Sequence, residues 1–299
     1  MPRLPSVPHA EDMASTLETF SNDLAAAVES AGRSIVAVNG RPRTPSSGIH
    51  WRTGIVVTTN HTLQQEDDIT VTTLNGDTLA AVVAGRDPGT DIAVLKVPGL
   101  QIPVSEPAAA ASVRIGHIVL AIGRGITASL GAISSISGPW RTWRGGSIDA
   151  FIRPDVGIYT GFSGGALIDA AGKIIGMNTS GLSRGGGLTL PGSTVSRVCD
   201  ELLQRGRIAR GYLGIGMQPV RLSPSSSGLI VLSVEEDGPA HKAGLLVGDI
   251  LITLEATPLH DTGDLQTALT ADLIGKAVVL HIIRGGQTAD VSVTAGERP

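Results

Sequence analysis

The chain is short of aromatic side chains, of charge and of cysteine, and each shortage excludes something. Aromatic residues make up 3% of its 299 residues, so the core must be built mainly from Val, Ile, Leu and Ala. Charged residues are 17% and the formal net charge is −4, which leaves no basic footprint for nucleic acid or an anionic membrane surface. The single cysteine, Cys199, rules out an intrachain disulfide framework, a Cys-rich zinc site and a paired-thiol redox centre. No apolar run reaches the roughly 18 residues of a membrane span, and residues 1–30 carry acids where a secretory signal needs a continuous apolar segment. As written, the expected compartment is the cytoplasm; it becomes periplasmic or extracellular if an upstream signal was removed. With no P-loop and no metal-ligand spacing, neither cofactor nor metal is expected.

Glycine, by contrast, is plentiful. Its 39 residues imply many sharp turns and favour β structure. At about 100 to 200 residues per domain, the length suggests two domains. Residues 1–12 are Pro-rich at their start and expected to be disordered. From Met13 to Val36, Leu17, Phe20, Leu24, Ala27 and Val28 recur at helical spacing, predicting an amphipathic helix packed on its own domain or used as an oligomer contact. Short β-branched runs follow between turn residues: Ile55 to Thr59, Ile69 to Leu74, Leu79 to Ala84, Ile92 to Val97 and Ile118 to Ile122. Ala166 to Asp169 and Lys173 to Asn178 flank Ala170-Ala171-Gly172 as a hairpin. Val195 to Arg205 reads as a helix, N-capped by Ser193 or Thr194 and stopped by Gly206. After Arg210 the pattern restarts: a Ser/Pro loop spans Ser223 to Gly228, strands lie at Leu229 to Val234, Asp249 to Leu254 and Ala277 to Ile283, and a helix covers Thr262 to Leu269. The expected division is therefore a β-rich domain at 13–206, a linker at 207–210 and an α+β domain at 211–295.

The segment Thr160-Gly161-Phe162-Ser163-Gly164-Gly165 holds the clearest chemistry. A serine nucleophile needs an exposed hydroxyl on a sharp turn with backbone N–H groups converging on the oxyanion, and flanking glycines allow that approach. The same residues fit the G-x-S-x-G elbow of α/β-hydrolases. A base and an orienting acid must accompany the serine. His61 ends an apolar strand, and Asp91 opens another in Asp87-Pro88-Gly89-Thr90-Asp91. The order His, Asp, Ser is that of chymotrypsin, whereas an α/β-hydrolase places its acid and histidine after the serine. Singly, each residue is as well explained by a turn or a strand end; jointly they point to catalysis.

These blocks also resemble a known family. Gly161-Phe162-Ser163-Gly164-Gly165 with Gly176-Met177-Asn178-Thr179, Val57-Thr58-Thr59-Asn60-His61 and Thr90-Asp91-Ile92-Ala93-Val94-Leu95 look like the nucleophile, histidine and aspartate blocks of the HtrA proteases. Those enzymes join a trypsin-like fold to PDZ domains. The resemblance implies a mainly β, chymotrypsin-like double six-stranded barrel, with Ser163 attacking the peptide carbonyl, His61 as general base and acid, and Asp91 orienting His61. The N–H groups of Gly161 and Ser163 would form the oxyanion hole, and Gly157, Asn178 and Thr179 the specificity pocket. Gly157 stands where trypsin-like cleavage after Arg or Lys needs a carboxylate, so small or medium apolar residues are expected before the scissile bond. Phe162 departs from the family's usual Asn; lacking an acid there, activation by a freed N-terminal amine is excluded. The segment Arg141-Thr142-Trp143-Arg144-Gly145-Gly146 looks like a mobile loop of the kind that orders the active site in this family.

In the second domain, Gly211-Tyr212-Leu213-Gly214-Ile215 resembles the loop with which PDZ domains hold a peptide's terminal carboxylate while the peptide adds as a strand. Asp237-Gly238-Pro239-Ala240, Ala243-Gly244-Leu245 and Gly248-Asp249-Ile250-Leu251 look like the rest of a bacterial PDZ core. The implied partners are unfolded or damaged protein substrates, C-terminal or extended apolar peptides at the PDZ domain, and further copies in a homotrimer. A catalytically silent chaperone or peptide-binding scaffold and, less favoured, a non-peptide acyl hydrolase are the competing readings.

Overall fold

The structure is a computed structural model that describes residues 10–108, 113–142, 144–183, 186–223 and 226–297. It separates into two compact units, Met1–Arg207 and Ile208–Pro299.

The first unit begins with helix α1, Ala10–Gly32. The expected helix over residues 13–36 is thus shifted: Ala10 to Asp12 lie inside it, and residues 1–9 of the expected disordered segment lie outside the described residues. Ile35 and Val36 have left the helix for a strand, because β-branched side chains lose rotamer freedom in a helix and fit a buried pleat. Seven strands follow: β1 Ile35–Asn39, β2 Ser46–Arg52, β3 Ile55–Thr59, β4 Thr70–Thr72, β5 Thr78–Ala80, β6 Val82–Asp87 and β7 Ile92–Lys96. They form one antiparallel sheet in the order β5-β4-β1-β2-β3-β7-β6. The expectation of six strands in this half is corrected to seven, since the run Leu79 to Ala84 breaks at Ala81 into β5 and β6. Val36, Val38, Val56, Leu63, Ile69, Val71, Ala93 and Leu95 form its aliphatic core.

The second half holds β8 Ile118–Gly123, β9 Thr127–Ser137, β10 Trp140–Arg141, β11 Ser147–Ile148, β12 Phe151–Asp155, β13 Ala166–Asp169, β14 Ile174–Thr179 and β15 Leu188–Pro191. Six of these close a barrel in the order β12-β15-β14-β13-β8-β9, and β10 pairs with β11 as a small hairpin. Helix α2, Gly192–Arg205, ends at Gly206 in the left-handed conformation, as the sequence indicates. At its start neither Ser193 nor Thr194 is the cap: Pro191 holds that position without a side-chain bond, and the Thr194 hydroxyl instead accepts the Asp149 N–H. Cys199 lies on the buried face of this helix, where burial pushes its thiol up to about 11.

The second unit contains β16 Gly211–Tyr212, β17 Ile215–Ser223, β18 Ser226–Val234, α3 Pro239–Lys242, β19 Ile250–Leu254, β20 Thr257–Pro258, α4 Thr262–Ala268, β21 Ala277–Arg284, β22 Gln287–Thr294 and β23 Gly296–Glu297. Its main sheet runs β17-β18-β19-β21-β22, with β17 at one edge. The Ser/Pro loop is shorter than its composition suggests, because β17 continues to Ser223 and β18 already begins at Ser226. Leu213, Leu229, Val231, Leu251, Leu265 and Leu280 lead an almost wholly aliphatic core, each such burial contributing about 2 kcal/mol. Asp249 is the buried charge here. Its carboxylate accepts Arg284 Nε at 2.7 Å, Arg284 Nη2 at 2.6 Å and the Leu246 N–H at 2.8 Å, and the guanidinium holds it below the usual carboxylate range. The chain as a whole is mainly β.

Candidate active site

Strand register brings His61 and Asp91 together. Strands β3 and β7 pair antiparallel with Thr59 opposite Ile92, so the residue that follows β3 and the one that precedes β7 emerge at the same end of the sheet. The Asn60 N–H donates to the Asp91 carbonyl at 3.0 Å, and His61 sits in the short 3-10 turn Asn60–Thr62. Asp91 has φ +59, a left-handed conformation that Asp tolerates better than most residues. The turn before it is tied by Asp87, which accepts from the N–H groups of Gly89 and Thr90 and from the Thr90 hydroxyl at 2.7 Å.

The Asp91 side chain is buried at 5% exposure and fully engaged. Oδ1 accepts the His61 N–H at 2.8 Å; Oδ2 accepts from His61 Nδ1 at 2.7 Å and from Thr179 Oγ1 at 2.5 Å. A carboxylate can only accept, so Nδ1 carries a proton, and in the neutral imidazole Nε2 is the nitrogen with the lone pair, on a ring that is one-third exposed.

The turn around Ser163 comes from the other half. Phe162 N–H donates to the Tyr159 carbonyl at 3.0 Å and Gly165 N–H to that of Phe162 at 2.8 Å, which folds the chain tightly about Ser163. The Gly164 N–H reaches the Asn178 carbonyl, while Ser47, from β2, receives the turn from the opposite side. The Ser47 N–H donates to the Ser163 carbonyl at 3.0 Å and its hydroxyl to the Gly161 carbonyl at 2.6 Å; the Arg124 N–H in turn donates to the Ser47 hydroxyl. A Cβ at Gly164 would lie 2.0 Å from the Ser47 carbonyl oxygen, so only glycine fits there. With the carbonyls so held, the N–H groups of Gly161 and Ser163 have no acceptor among the described residues. They are available donors on one turn, the requirement for stabilising an oxyanion.

Phe162 does not intrude on this arrangement. Its ring is 3% exposed, packs edge-on to Tyr159 at 5.5 Å and joins the barrel core with Val119, Ala121 and Leu167. Of the residues expected to line the specificity pocket, two are the last residues of strand β14. Asn178 and Thr179 are fully buried. Asn178 Nδ2 donates to the Ala166 carbonyl and its Oδ1 accepts the Thr189 hydroxyl, stitching β13, β14 and β15, while the Thr179 hydroxyl binds Asp91. Gly157 is the remaining member of that set, and its N–H is held by Ser129 Oγ at 2.9 Å.

Two serines of this region carry no sequence signal. Ser47 braces both carbonyls described above. Ser180 follows β14 and its hydroxyl lies 3.0 Å from that of Ser163. The expected mobile loop is the β10–β11 hairpin, with Trp143 outside the described residues; Thr142 fixes it to the acid's turn by donating to the Gly89 carbonyl at 2.7 Å.

In the second unit Gly214 has φ +75, a backbone state that suits glycine. The Leu213 and Gly214 carbonyls accept the N–H groups of Ala240 and Glu235, both at 2.8 Å, and their own N–H groups have no acceptor among the described residues. Leu213 points into the core and Ile215 opens edge strand β17. The Tyr212 hydroxyl is bonded to Glu235 at 2.5 Å.

A family model of a trypsin-like peptidase domain matches residues 46–177, and one of a PDZ domain matches residues 211–295. Probable periplasmic serine endoproteases described as DegP-like are 32% identical over 262 residues in Pseudomonas fluorescens and 33% over 278 in Brucella suis, covering 82% and 87% of this chain. The chain spans about half (54%) the length of these curated relatives. Among solved structures, the serine endoprotease from Yersinia pestis is 30% identical with a TM-score of 0.74, covering 98% of this chain and 100% of that one. The HtrA-type protease AlgW with a decapeptide is 27% identical, also at 0.74, covering 92% and 99%.

Proposed function

Since the chain belongs to the HtrA family of trypsin-like serine proteases with PDZ domains, we propose that it is a serine endopeptidase acting through Ser163, His61 and Asp91. Ser163 Oγ attacks the scissile carbonyl as His61 Nε2 takes its proton; His61 then protonates the leaving amine, and water repeats the cycle on the acyl-enzyme. Asp91 keeps the imidazole in the required tautomer and stabilises its cation. The Gly161 and Ser163 N–H groups receive the oxyanion. The observation that carries this reading is the Asp91 carboxylate, buried and joined to His61 Nδ1 at 2.7 Å, which holds the imidazole in the tautomer that a serine protease's base requires. An α/β-hydrolase reading has no support, because the named strands of this unit pair antiparallel.

We take the protease part as residues 13–206 and the PDZ part as 211–295. Gly157 supports cleavage after small or medium apolar residues. The edge of β17 and the Leu213 and Gly214 N–H groups support addition of an extended peptide with its terminal carboxylate at the turn. Unfolded proteins are the fitting substrates, because they expose both apolar segments and free backbone. The curated relatives are named periplasmic, which supports that compartment over the cytoplasm; osmotic-shock fractionation decides it. A homotrimer is expected by likeness to the family, and light scattering measures it.

The test is fluorophosphonate labelling of the purified chain, with an unfolded protein and valyl and arginyl peptides as substrates. Labelling and cleavage that require Ser163 and His61, with valyl cut faster than arginyl, are expected. A chain that stays unlabelled but binds peptides is a scaffold, and efficient arginyl cleavage overturns the specificity.

A further inference from the structure

The hydroxyl of Ser163 has one proton and two lone pairs to place. Among the described residues it makes two hydrogen bonds, and both are with Ser180: Oγ to Oγ at 3.0 Å, and the Ser180 N–H to Ser163 Oγ at 3.4 Å. It makes none with His61. The last residue of β14 and the two that follow it touch the whole constellation. Thr179 donates to Asp91; Gly181 lies so close over the imidazole that a Cβ there would be 2.7 Å from both His61 Nδ1 and Asp91 Oδ2; and Ser180 holds the serine. Gly181 N–H also donates to Thr179 Oγ1 at 2.9 Å, which fixes this order.

Resting on the protease reading above, we propose that Ser180 is a positioning residue, a latch that holds the Ser163 hydroxyl off His61 and sets the resting reactivity of the nucleophile. Either proton arrangement damps attack. If Ser163 donates to Ser180, the proton that the base must remove points at the wrong acceptor. If Ser180 donates, both lone pairs of Ser163 Oγ are engaged by Ser180, and the pair that attacks must first be released. Release is available because Ser180 is exposed, the first exposed residue after a strand whose six residues are all buried. Occupation of the cleft by an extended substrate can displace this segment while β14 stays fixed.

The experiment compares the fluorophosphonate labelling rate of wild type, Ser180→Ala, Ser180→Gly and Ser180→Thr, with and without an unfolded protein. One neutral hydroxyl bond predicts that Ser180→Ala labels about three- to tenfold faster in the absence of substrate, with an unchanged thermal midpoint and unchanged KM for peptide. Ser180→Thr, which keeps the hydroxyl, stays within about twofold of wild type on the same grounds. Unfolded protein accelerates wild type but not Ser180→Ala. Ser180→Gly keeps the backbone N–H and serves if the alanine variant misfolds. Labelling that needs Ser163 and His61 yet is no faster, or slower, in both Ser180→Ala and Ser180→Gly overturns the latch and leaves the protease standing. Absence of labelling in wild type and Ser180 variants alike overturns both.

Discussion

Two turns in this molecule present backbone N–H groups in the same way and are held in place by different means. At Gly161–Ser163 and at Leu213–Gly214, a glycine at positive φ turns the chain, the carbonyls are bonded away and the N–H groups have no acceptor among the described residues. In the second unit those carbonyls are held by backbone N–H groups of Glu235 and Ala240, on the neighbouring loop and helix α3. In the first they are held largely by one residue, Ser47, from a strand more than a hundred positions earlier. In the proposed function the oxyanion is a transient guest of the first turn and a peptide carboxylate a lasting one of the second. A cradle held by the backbone and side chain of one distant residue can be assembled or lost with the packing of the two halves, whereas a cradle made of local backbone is present whenever its unit is folded.

The coarsest way to separate the two cradles is to remove the proposed nucleophile. Ser163→Ala is expected to reduce peptide hydrolysis by about 10⁴-fold or more while leaving peptide affinity at the second unit unchanged. Titration of a labelled peptide beside an activity assay checks both at once; a parallel loss of binding would break the independence of the two sites.

The second cradle yields to a stability change. Asp249 anchors the loop that follows α3, and α3 holds the Leu213 carbonyl. Asp249→Asn loses charge-assisted bonds to Arg284 and is expected to cost the second unit about 2 kcal/mol. The sign with pH follows from the lowered carboxyl. The pair's contribution is fully present above the ordinary carboxylate range and is lost as pH falls through the depressed value of the folded state. Unfolding followed from neutral to strongly acid pH should show wild type losing this margin only at the acid end and the variant lacking it throughout. A more local change, Gly214→Val, forces a β-branched residue to φ +75 and should weaken peptide binding about tenfold, with hydrolysis of a small ester unaffected.

How far each cradle could be seen in the sequence follows from the same difference. Gly211-Tyr212-Leu213-Gly214-Ile215 is contiguous, and so is Gly161-Phe162-Ser163-Gly164-Gly165; local glycine patterns mark both. His61 and Asp91 are legible because each sits next to a clear apolar strand, and the register of β3 and β7 does the rest. Asn178 and Thr179 are harder to read from the sequence, for a physical reason. Strand β14 is buried on both faces, so alternation of side chains no longer tells pocket from interior, and two polar residues there pair with Thr189 and Asp91. Ser47 and Ser180 could not be found at all, since a serine that bonds across 114 or 17 positions leaves no periodic or local mark. Helix α1 is misplaced at its end because Ile35 and Val36 continue the apolar spacing while their branching favours a strand.

The finest test acts on Ser47 itself. Ser47→Ala keeps the backbone donor to the Ser163 carbonyl but removes the hydroxyl that links the Gly161 carbonyl to the Arg124 N–H, leaving a donor and an acceptor without their partner in a buried place. Relaxing that mismatch by rotating the Gly161–Phe162 peptide would disturb the flanking peptides that carry the Gly161 and Ser163 N–H groups, but Phe162 is buried in the barrel core and its N–H is held by Tyr159. These two anchors oppose the rotation, so the loss should fall well short of the hundredfold or more that follows deleting an oxyanion donor outright. We expect kcat to fall about three- to tenfold with KM within about twofold, the signature of an interaction felt in the transition state. A rise in KM with kcat preserved would instead place Ser47 in substrate binding, and no change in either would mean that Phe162 alone fixes the turn.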